Sequence, residues 1–483
     1  MTDSSRRRDS WIVVATALVV RIVVVLWAAS RFPPTADGTF YHRIAERMAQ
    51  GHGYTWLWPD GVVTYAGHYP VGYPALIAAG YALFGAHPGV AMTLNALIGS
   101  LAALAVHRLS CRMSSPRRAL VAGLVVAFHP ALVAYTPALM SEGVTASLVT
   151  CAAWVTAAVR DAAARGSLRS ALKWLALLGF VVGLATLVRP QSIVFAPLFA
   201  LVGVQPWITK TFWKRAVVSV GVATISTFVL LAPWTARNCA RMGRCALVSY
   251  NGGWNLLIGA DAESTGAWSP IKVPFECREV WDEAAKDECF GRAARRYIVT
   301  NPVSWLALIP RKLAATFDYC GAPGWYLHES NPQACGERCK VVLGAVETVY
   351  ERLLLLLGIV WASTGAWQTR KGQESSSVTY LRRGVALMGL ISLFYVAAWI
   401  GYVAFVLALL LRNRDLLRGE VLPICTVIVM GMTAIIHATF FGAGRYAMVT
   451  FPLLAGVAIL ALSGRQPKES EVTGNEDVAS GVS

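Results

Sequence analysis

The sequence predicts an α-helical polytopic membrane protein with roughly 10 to 12 spans of about 20 residues each, short interfacial helices and one small extracytoplasmic domain. Three observations carry that expectation. Hydrophobic residues fill 56% of the 483 positions and charged ones only 14%, a balance that no soluble domain of this size keeps on its surface. Apolar runs of span length recur from Trp11 onward. The basic residues gather at the ends of those runs, at Arg6 to Arg8, Arg108 to Arg118, Arg160 to Lys173, Lys210 to Arg215, Arg412 to Arg418 and Arg465 to Lys468. Lys and Arg total 43 against 27 Asp and Glu, yet their placement is that of membrane topology, so no nucleic-acid partner is expected.

The N-terminal membrane domain is assigned to residues 1–234. Its first run, Trp11 to Ser30, follows a basic segment, has no small-residue cleavage site and holds Arg21, so it reads as a retained anchor with the N-terminus inside. Asp37 then lies outside. The outer loop that follows, 31–86, is too rich in character to be a plain connection: a lone carboxylate, His42 and His68, and a cluster of aromatics and prolines. From Gly38 to Gln50, Phe40, Ile44 and Met48 recur at four-residue steps and predict an interfacial helix stopped by Gly51, with Asp37, Tyr41 and Arg47 off the apolar stripe. Pro70 and Pro74 bracket a turn, and Leu76, Leu83 and Phe84 give a second short helix ending at Gly85. Further spans are expected near 88–107, 119–136, 143–159, 171–188, 191–206 and 216–234. Their parity puts Pro137 to Glu142, Arg189 to Gln191 and the segment after Pro233 on the side of Asp37, in agreement with the charges.

Residues 235–340 lack a span-length run and read as an extracytoplasmic domain holding seven of the ten cysteines: Cys239, Cys245, Cys277, Cys289, Cys320, Cys335 and Cys339. Cys239 with Cys245 and Cys277 with Cys289 are close enough in sequence for disulfides, and Cys335 with Cys339 leaves a weak zinc alternative. C-terminal membrane helices follow over 341–465. Here the basic groups at Arg370 to Lys371, Arg382 to Arg383 and Arg412 to Arg418 cannot all lie inside unless the run from Gly384 to Leu411 turns back on itself or the first run does not cross. The polar tail, 466–483, is expected to be disordered.

Five polar constellations fall at expected outer ends of spans: Asp37 with Tyr41 and His42, Ser141 with Glu142, Arg189 to Gln191, Arg237 with Asn238, and Gly444 to Tyr446. Each alone has a plainer reading. Asp37 can cap a helix, Glu142 can be a first-turn acid, and an arginine at a span end can snorkel. Two carboxylates and three arginines on one face point instead to acid/base or metal chemistry beside anion binding. No Walker, dinucleotide-binding, HExxH or nucleophile-elbow pattern is present.

The order of these elements resembles the GT-C-fold membrane glycosyltransferases that use polyprenyl-phosphate sugars, the group of the 4-amino-arabinose lipid A transferases and the protein mannosyltransferases. The matching pieces are Asp37 to Tyr41 with Gly51 to Tyr54, Tyr69 to Gly85, Ser141-Glu142, Leu187 to Pro190, Pro233 to Asn238 with Asn251 to Gly259, and Gly444 to Tyr446. The resemblance implies transfer of a monosaccharide from a polyprenyl-phosphate donor to a lipid, glycan or protein acceptor, at the periplasmic face of a bacterial inner membrane. It implies Asp37 and Glu142 as catalytic residues, Arg189, Arg237, Arg445 and Tyr446 on the donor phosphate, and Tyr41, His42 and His68 as loop residues around the substrate. Many members carry a second acid directly after the loop aspartate; here that position is Gly38, so the metal requirement is unknown and a divalent cation stays open. The competing readings are a lipid or polysaccharide transporter, which would place charges at mid-membrane depth in paired halves, and an O-antigen polymerase or ligase type of enzyme.

Overall fold

The computed structural model describes residues 3–204, 212–260, 263–319, 321–364, 376–395, 397–412 and 420–462. The tail expected to be disordered, Cys320, Lys210, Arg370, Lys371, Arg414 and Arg418 lie outside these residues.

The first span is α1 (Asp3–Ala28), and α2 (Asp37–Ala49) is the helix expected after it. Its buried face differs from the four-residue stripe of the sequence. Gly38, Tyr41, Ile44 and Ala45 turn inward, whereas Phe40 faces out and stacks on Tyr69 at 5.4 Å. The reason is that the helix packs on protein, not on lipid alone, so its inward arc is chosen by the aromatics beneath it. A two-stranded hairpin follows, β1 (Thr55–Leu57) antiparallel to β2 (Val63–Tyr65), with Trp56 opposite Thr64. Next comes α3 (Gly72–Phe84), ending at Gly85 with φ +86° as expected of a glycine stop, its Leu83 and Phe84 exposed.

The bundle continues through α4 (Pro88–Ser110), α5 (Pro116–Ala127), α6 (Pro130–Ala134), α7 (Glu142–Ala164), α8 (Leu168–Val188), α9 (Phe195–Gly203) and α10 (Phe212–Arg241). The span expected over 119–136 is broken between α5 and α6, where Pro130 cannot donate to the helix ladder. The segment after α10 holds α11 (Gly252–Ile258), α12 (Glu283–Thr300), α13 (Pro302–Ala307), α14 (Ile309–Phe317) and α15 (Ala322–Ser330). A small apolar core of Leu257, Ala260, Phe290 and Ala294 closes around the Cys277–Cys289 disulfide. Cys239 pairs with Cys245, and Cys335 pairs with Cys339, which removes the zinc alternative because both thiolates are consumed in a covalent bond.

The chain then returns to the bundle as α16 (Glu337–Ser363), α17 (Ser376–Ser392), α18 (Ala398–Arg412), α19 (Val421–Thr439) and α20 (Phe451–Leu460). The run from Gly384 to Leu411 does turn back on itself, as the α17–α18 hairpin. At the start of α18 the Trp399 N–H donates to Asp318 at 2.8 Å. Among the described residues, α1, α4, α7, α8, α10 and α19 are long and apolar enough to cross a membrane, and the shorter apolar α3, α9, α18 and α20 pack among them.

The close approach of α8 to α10 depends on glycine. A Cβ on Gly179 of α8 would stand 2.2 Å from the Ala223 carbonyl oxygen of α10. Gly179→Leu is therefore expected to overpack this contact by about 1–3 kcal/mol and lower the detergent melting temperature. Gly221→Leu, at an α10 position with no atom within 4 Å, should leave it unchanged.

Candidate active site

Three helix ends and one 3₁₀ turn (Gly444–Val449) meet at one end of the bundle and bring five of the expected residues together. Asp37 is the first residue of α2, and Glu142 is the first residue of α7. Both carboxylates thus sit at the positive ends of helices. Arg445, from the 3₁₀ turn, spans them: its Nη1 is 3.3 Å from Asp37 Oδ2 and its Nε 3.3 Å from Glu142 Oε1. Arg189, at the end of α8, donates through Nη2 to Glu142 at 2.8 Å and through Nε to Ser141 Oγ at 3.1 Å. Tyr446 accepts from Arg445 at 3.3 Å, carries the Arg189 guanidinium over its ring at 4.8 Å and stacks on His437 at 4.4 Å.

The two acids differ in access. The Asp37 side chain is 32% exposed and that of Glu142 only 2%. Asp37 can therefore meet a substrate, while Glu142 faces Arg189, Arg445 and the Tyr135 hydroxyl, which donates to it at 3.4 Å. Tyr69 donates to Asp37 at 3.2 Å. Burial, then the Asp37 charge, pushes the Tyr69 phenol far above its ordinary value, so it stays a donor. Tyr41 packs beneath, edge-on to Tyr69 at 5.2 Å and to Tyr73 at 5.3 Å.

Three expected residues stand apart. Arg237 does not reach the cluster. The helix runs through Pro233 to Arg241, so Arg237 lies on a helix flank and not in a loop. Its guanidinium donates to the Tyr54 and Ala66 carbonyls, both at 2.8 Å, and clamps the base of the hairpin. His42 pairs with the Tyr81 hydroxyl at 2.7 Å on the far side of α2. His68 lies one residue from Tyr69, edge-on between Tyr69 and Trp254, and burial lowers its pKa, so it is neutral.

Tyr69, Tyr326 and Glu283 contact or brace this region, and the sequence reading did not single them out as site residues. Glu283, the first residue of α12, accepts the backbone N–H groups of Gly67 at 2.7 Å and His68 at 3.0 Å, and the Trp56 indole N–H at 2.5 Å. The Tyr326 hydroxyl accepts the N–H groups of Thr35 at 3.4 Å and Leu139 at 3.2 Å, joining the approaches to Asp37 and Glu142. Only Tyr69 had a signal, its place in the proline-aromatic stretch.

Tyr326 also explains Gly38. A Cβ there would lie 2.8 Å from the Tyr326 hydroxyl and 3.0 Å from the Leu139 carbonyl oxygen. The second acid of the resembling family has no room. Among the described residues no three His, Cys, Asp or Glu side chains converge as a metal-ligand set, and both cluster carboxylates face guanidinium groups. The donors present do not fit a divalent cation.

Residues 68–232 match the sequence model of the family described as dolichyl-phosphate-mannose-protein mannosyltransferase. No curated protein matches the chain. Among solved structures, the apo oligosaccharyltransferase of Archaeoglobus fulgidus aligns with 95% of this chain and 50% of its own, at 14% identity and a TM-score of 0.50. The same enzyme tethered to an acceptor peptide gives 13% identity and a TM-score of 0.49 over 94% of this chain and 49% of its own. ArnT of Cupriavidus metallidurans bound to undecaprenyl phosphate gives 17% identity and a TM-score of 0.42 over 93% and 77%. The chain spans about half the length of the oligosaccharyltransferase it matches. At these identities the likeness is one of fold, and the fold is the GT-C architecture that the sequence predicts.

Two outcomes follow from the geometry. Gly38→Asp should cost at least about tenfold in activity through displacement of α2, and Tyr326→Phe in the same chain should recover only part of it, because the Leu139 carbonyl remains. Arg237→Ala should speed amide hydrogen exchange across residues 54–66 while leaving the dependence on donor concentration unaltered.

Proposed function

We propose that this chain, a membrane glycosyltransferase of the GT-C fold, moves a monosaccharide from a polyprenyl-phosphate donor onto a hydroxyl or similar group of an extracytoplasmic lipid, glycan or protein. The observation that carries the reading is the single cluster in which one accessible carboxylate, Asp37, shares Arg445 with a buried one, Glu142, and Arg189 stands behind it.

In this reading Asp37 is the general base. It takes the proton of the acceptor hydroxyl as that oxygen bonds to the anomeric carbon, while the bond from that carbon to the phosphate oxygen breaks. The electron pair leaves with the polyprenyl phosphate. Its growing negative charge is met by Arg445 and Arg189, both already oriented by Glu142, with Tyr446 holding the two guanidinium planes. Glu142 positions the arginines and is not itself in reach of the acceptor. Inversion at the anomeric carbon is the expected outcome of one displacement. No step runs through a metal.

The phosphate and Asp37 compete for the same guanidinium. A donor that draws Arg445 towards its phosphate loosens the ion pair on Asp37 and frees that carboxylate to meet the acceptor hydroxyl. Basic residues crowd the opposite ends of the spans, which supports an outer, periplasmic position for the cluster in a bacterial inner membrane.

The test is release of free polyprenyl phosphate from a panel of polyprenyl-phosphate monosaccharides, with envelope extract as acceptor. Wild type should release it from at least one donor, and Asp37→Asn should lower the rate by about 10²- to 10⁴-fold without loss of membrane insertion. Release that is equal in both proteins would remove Asp37 as base. Arg445→Ala should lower kcat/KM for the donor by about 10²- to 10³-fold; an unaltered dependence on donor concentration would detach it from the phosphate.

A further inference from the structure

Arg445 stands on a 3₁₀ turn that the membrane helices alone do not hold. α19 ends at Thr439, the turn begins at Gly444, and residues 440–443 form the link between them. The segment between α10 and α16 grips this link at three points. Lys312 of α14 is fully buried, and its ammonium donates to the Ala438 carbonyl at 3.2 Å and the Thr439 carbonyl at 3.1 Å. The last carbonyls of a helix lack partners inside it, and a cation placed there also meets the negative helix end. The Gly442 N–H donates to the Gly266 carbonyl at 2.9 Å, and a Cβ on Gly442 would stand 2.0 Å from the Lys312 carbonyl oxygen. Gly259, at the end of α11, approaches as closely: a Cβ there would stand 2.0 Å from the Phe440 carbonyl oxygen.

The link passes its position on to the cluster. The Phe441 carbonyl accepts from His437 Nδ1 at 2.9 Å, and the same imidazole stacks on Tyr446. The Ala443 carbonyl accepts the Tyr446 N–H at 2.9 Å, and the Phe441 and Tyr446 rings pack together with Ile258 of α11. A shift of residues 440–443 therefore carries Arg445 and Tyr446 with it. The choice of lysine at 312 is informative. A buried ammonium is costly unless its lost water is replaced, which here falls to the two carbonyls and to the Trp305 ring at 5.1 Å. Leucine or methionine would fill the space without that cost. What the lysine adds is a hold on the end of α19.

We infer that Lys312 is a positioning residue for transfer: through the link of residues 440–443, its hold on the α19 end sets where Arg445 stands between Asp37 and Glu142. The inference rests on the reading of Arg445 as a ligand of the donor phosphate, and it assigns part of that placement to a segment remote in sequence from the cluster. Gly259 and Gly442 serve the same end by letting the backbones meet.

The experiment asks whether the effect of Lys312 passes through Arg445. Transfer from the preferred donor is measured for wild type, Lys312→Met, Arg445→Ala and the double variant, with amide hydrogen exchange and detergent melting temperature alongside. Methionine keeps most of the stem and removes the donors. Lys312→Met should lower kcat/KM for the donor by about 10- to 100-fold and speed exchange over residues 440–446. In the Arg445→Ala background the same substitution should change kcat/KM by less than about twofold, because the group it places is gone. Gly259→Ala acts at a different contact of the link and should repeat that pattern; where Lys312→Met does not insert, the Gly259→Ala comparison decides. Equal fold-losses in the presence and absence of Arg445 would overturn the inference, because they mark a general loss of fold. An unaltered kcat/KM in Lys312→Met would also overturn it. Absence of release by wild type from every donor would instead overturn the reading beneath it, while faster exchange in Lys312→Met would still show that Lys312 holds the link.

Discussion

The end of the bundle that carries the carboxylate cluster depends on Arg445. Two carboxylates from elements more than 100 residues apart in sequence, Asp37 and Glu142, approach one site, and like charges at that separation in a partly desolvated place repel strongly. Arg445 lies between them, and Arg189 supplies the second positive charge, so the cluster is neutral as a whole. Its geometry fixes three things at once: the start of α2, the start of α7 and the turn before α20. Removing either partner leaves a buried charge unmatched, which is far costlier than the pair itself is stabilising.

A cluster made from loop ends needs an outer shell to hold it, and the chain supplies one from distant sequence. Glu283 gathers two consecutive backbone N–H groups beside Tyr69, Arg237 takes two carbonyls at the base of the hairpin, and Tyr326 ties the chain before Asp37 to the chain before Glu142. Two of these three side chains belong to the segment between α10 and α16. That segment is thus part of the site's framework as well as a candidate surface for the acceptor. The same framework dictates Gly38: with Tyr326 and Leu139 pressed against its α-carbon, a side chain at this position would displace the helix whose first residue is Asp37.

Much of this was legible in sequence because it is one-dimensional. Span length, basic ends and parity placed Asp37, Glu142, Arg189 and Arg445 on one face, and their meeting in space follows from that parity. Glycine stops at Gly51 and Gly85 marked the ends of α2 and α3. What sequence did not carry was the direction of side chains where two rules conflict. Pro233 reads as a helix end, yet α10 continues past it. Outside groups support the continuation: Trp234 donates to the Val248 carbonyl at 2.7 Å, and Asn238 donates to Ala246 and Val248, both at 3.1 Å. That continuation turned Arg237 from a loop residue into a clamp. Phe40 likewise lies on a good four-residue stripe, but the aromatic layer of Tyr41, Tyr69 and Tyr73 selects the neighbouring arc for burial. Glu283 and Tyr326 had no local pattern at all; their roles exist only through contacts more than 180 residues away in sequence.

One backbone position shows how tightly Asp37 is held. Among the described residues Ala36 alone, glycines aside, has a positive φ, +50°, and it directly precedes Asp37. Such a conformation costs on the order of 1–3 kcal/mol and persists only where the surroundings over-determine it. Here they do. The Gly38 N–H donates to the Thr35 carbonyl at 2.9 Å, the Thr39 N–H to the Ala36 carbonyl at 3.1 Å, and the Thr35 N–H to Tyr326. The strained turn aims the first residue of α2 at Arg445 when a relaxed entry would carry it past. Strain, the ion pair and the Tyr69 hydrogen bond therefore act on the same atom group from three directions. Asp37 is left with little positional freedom.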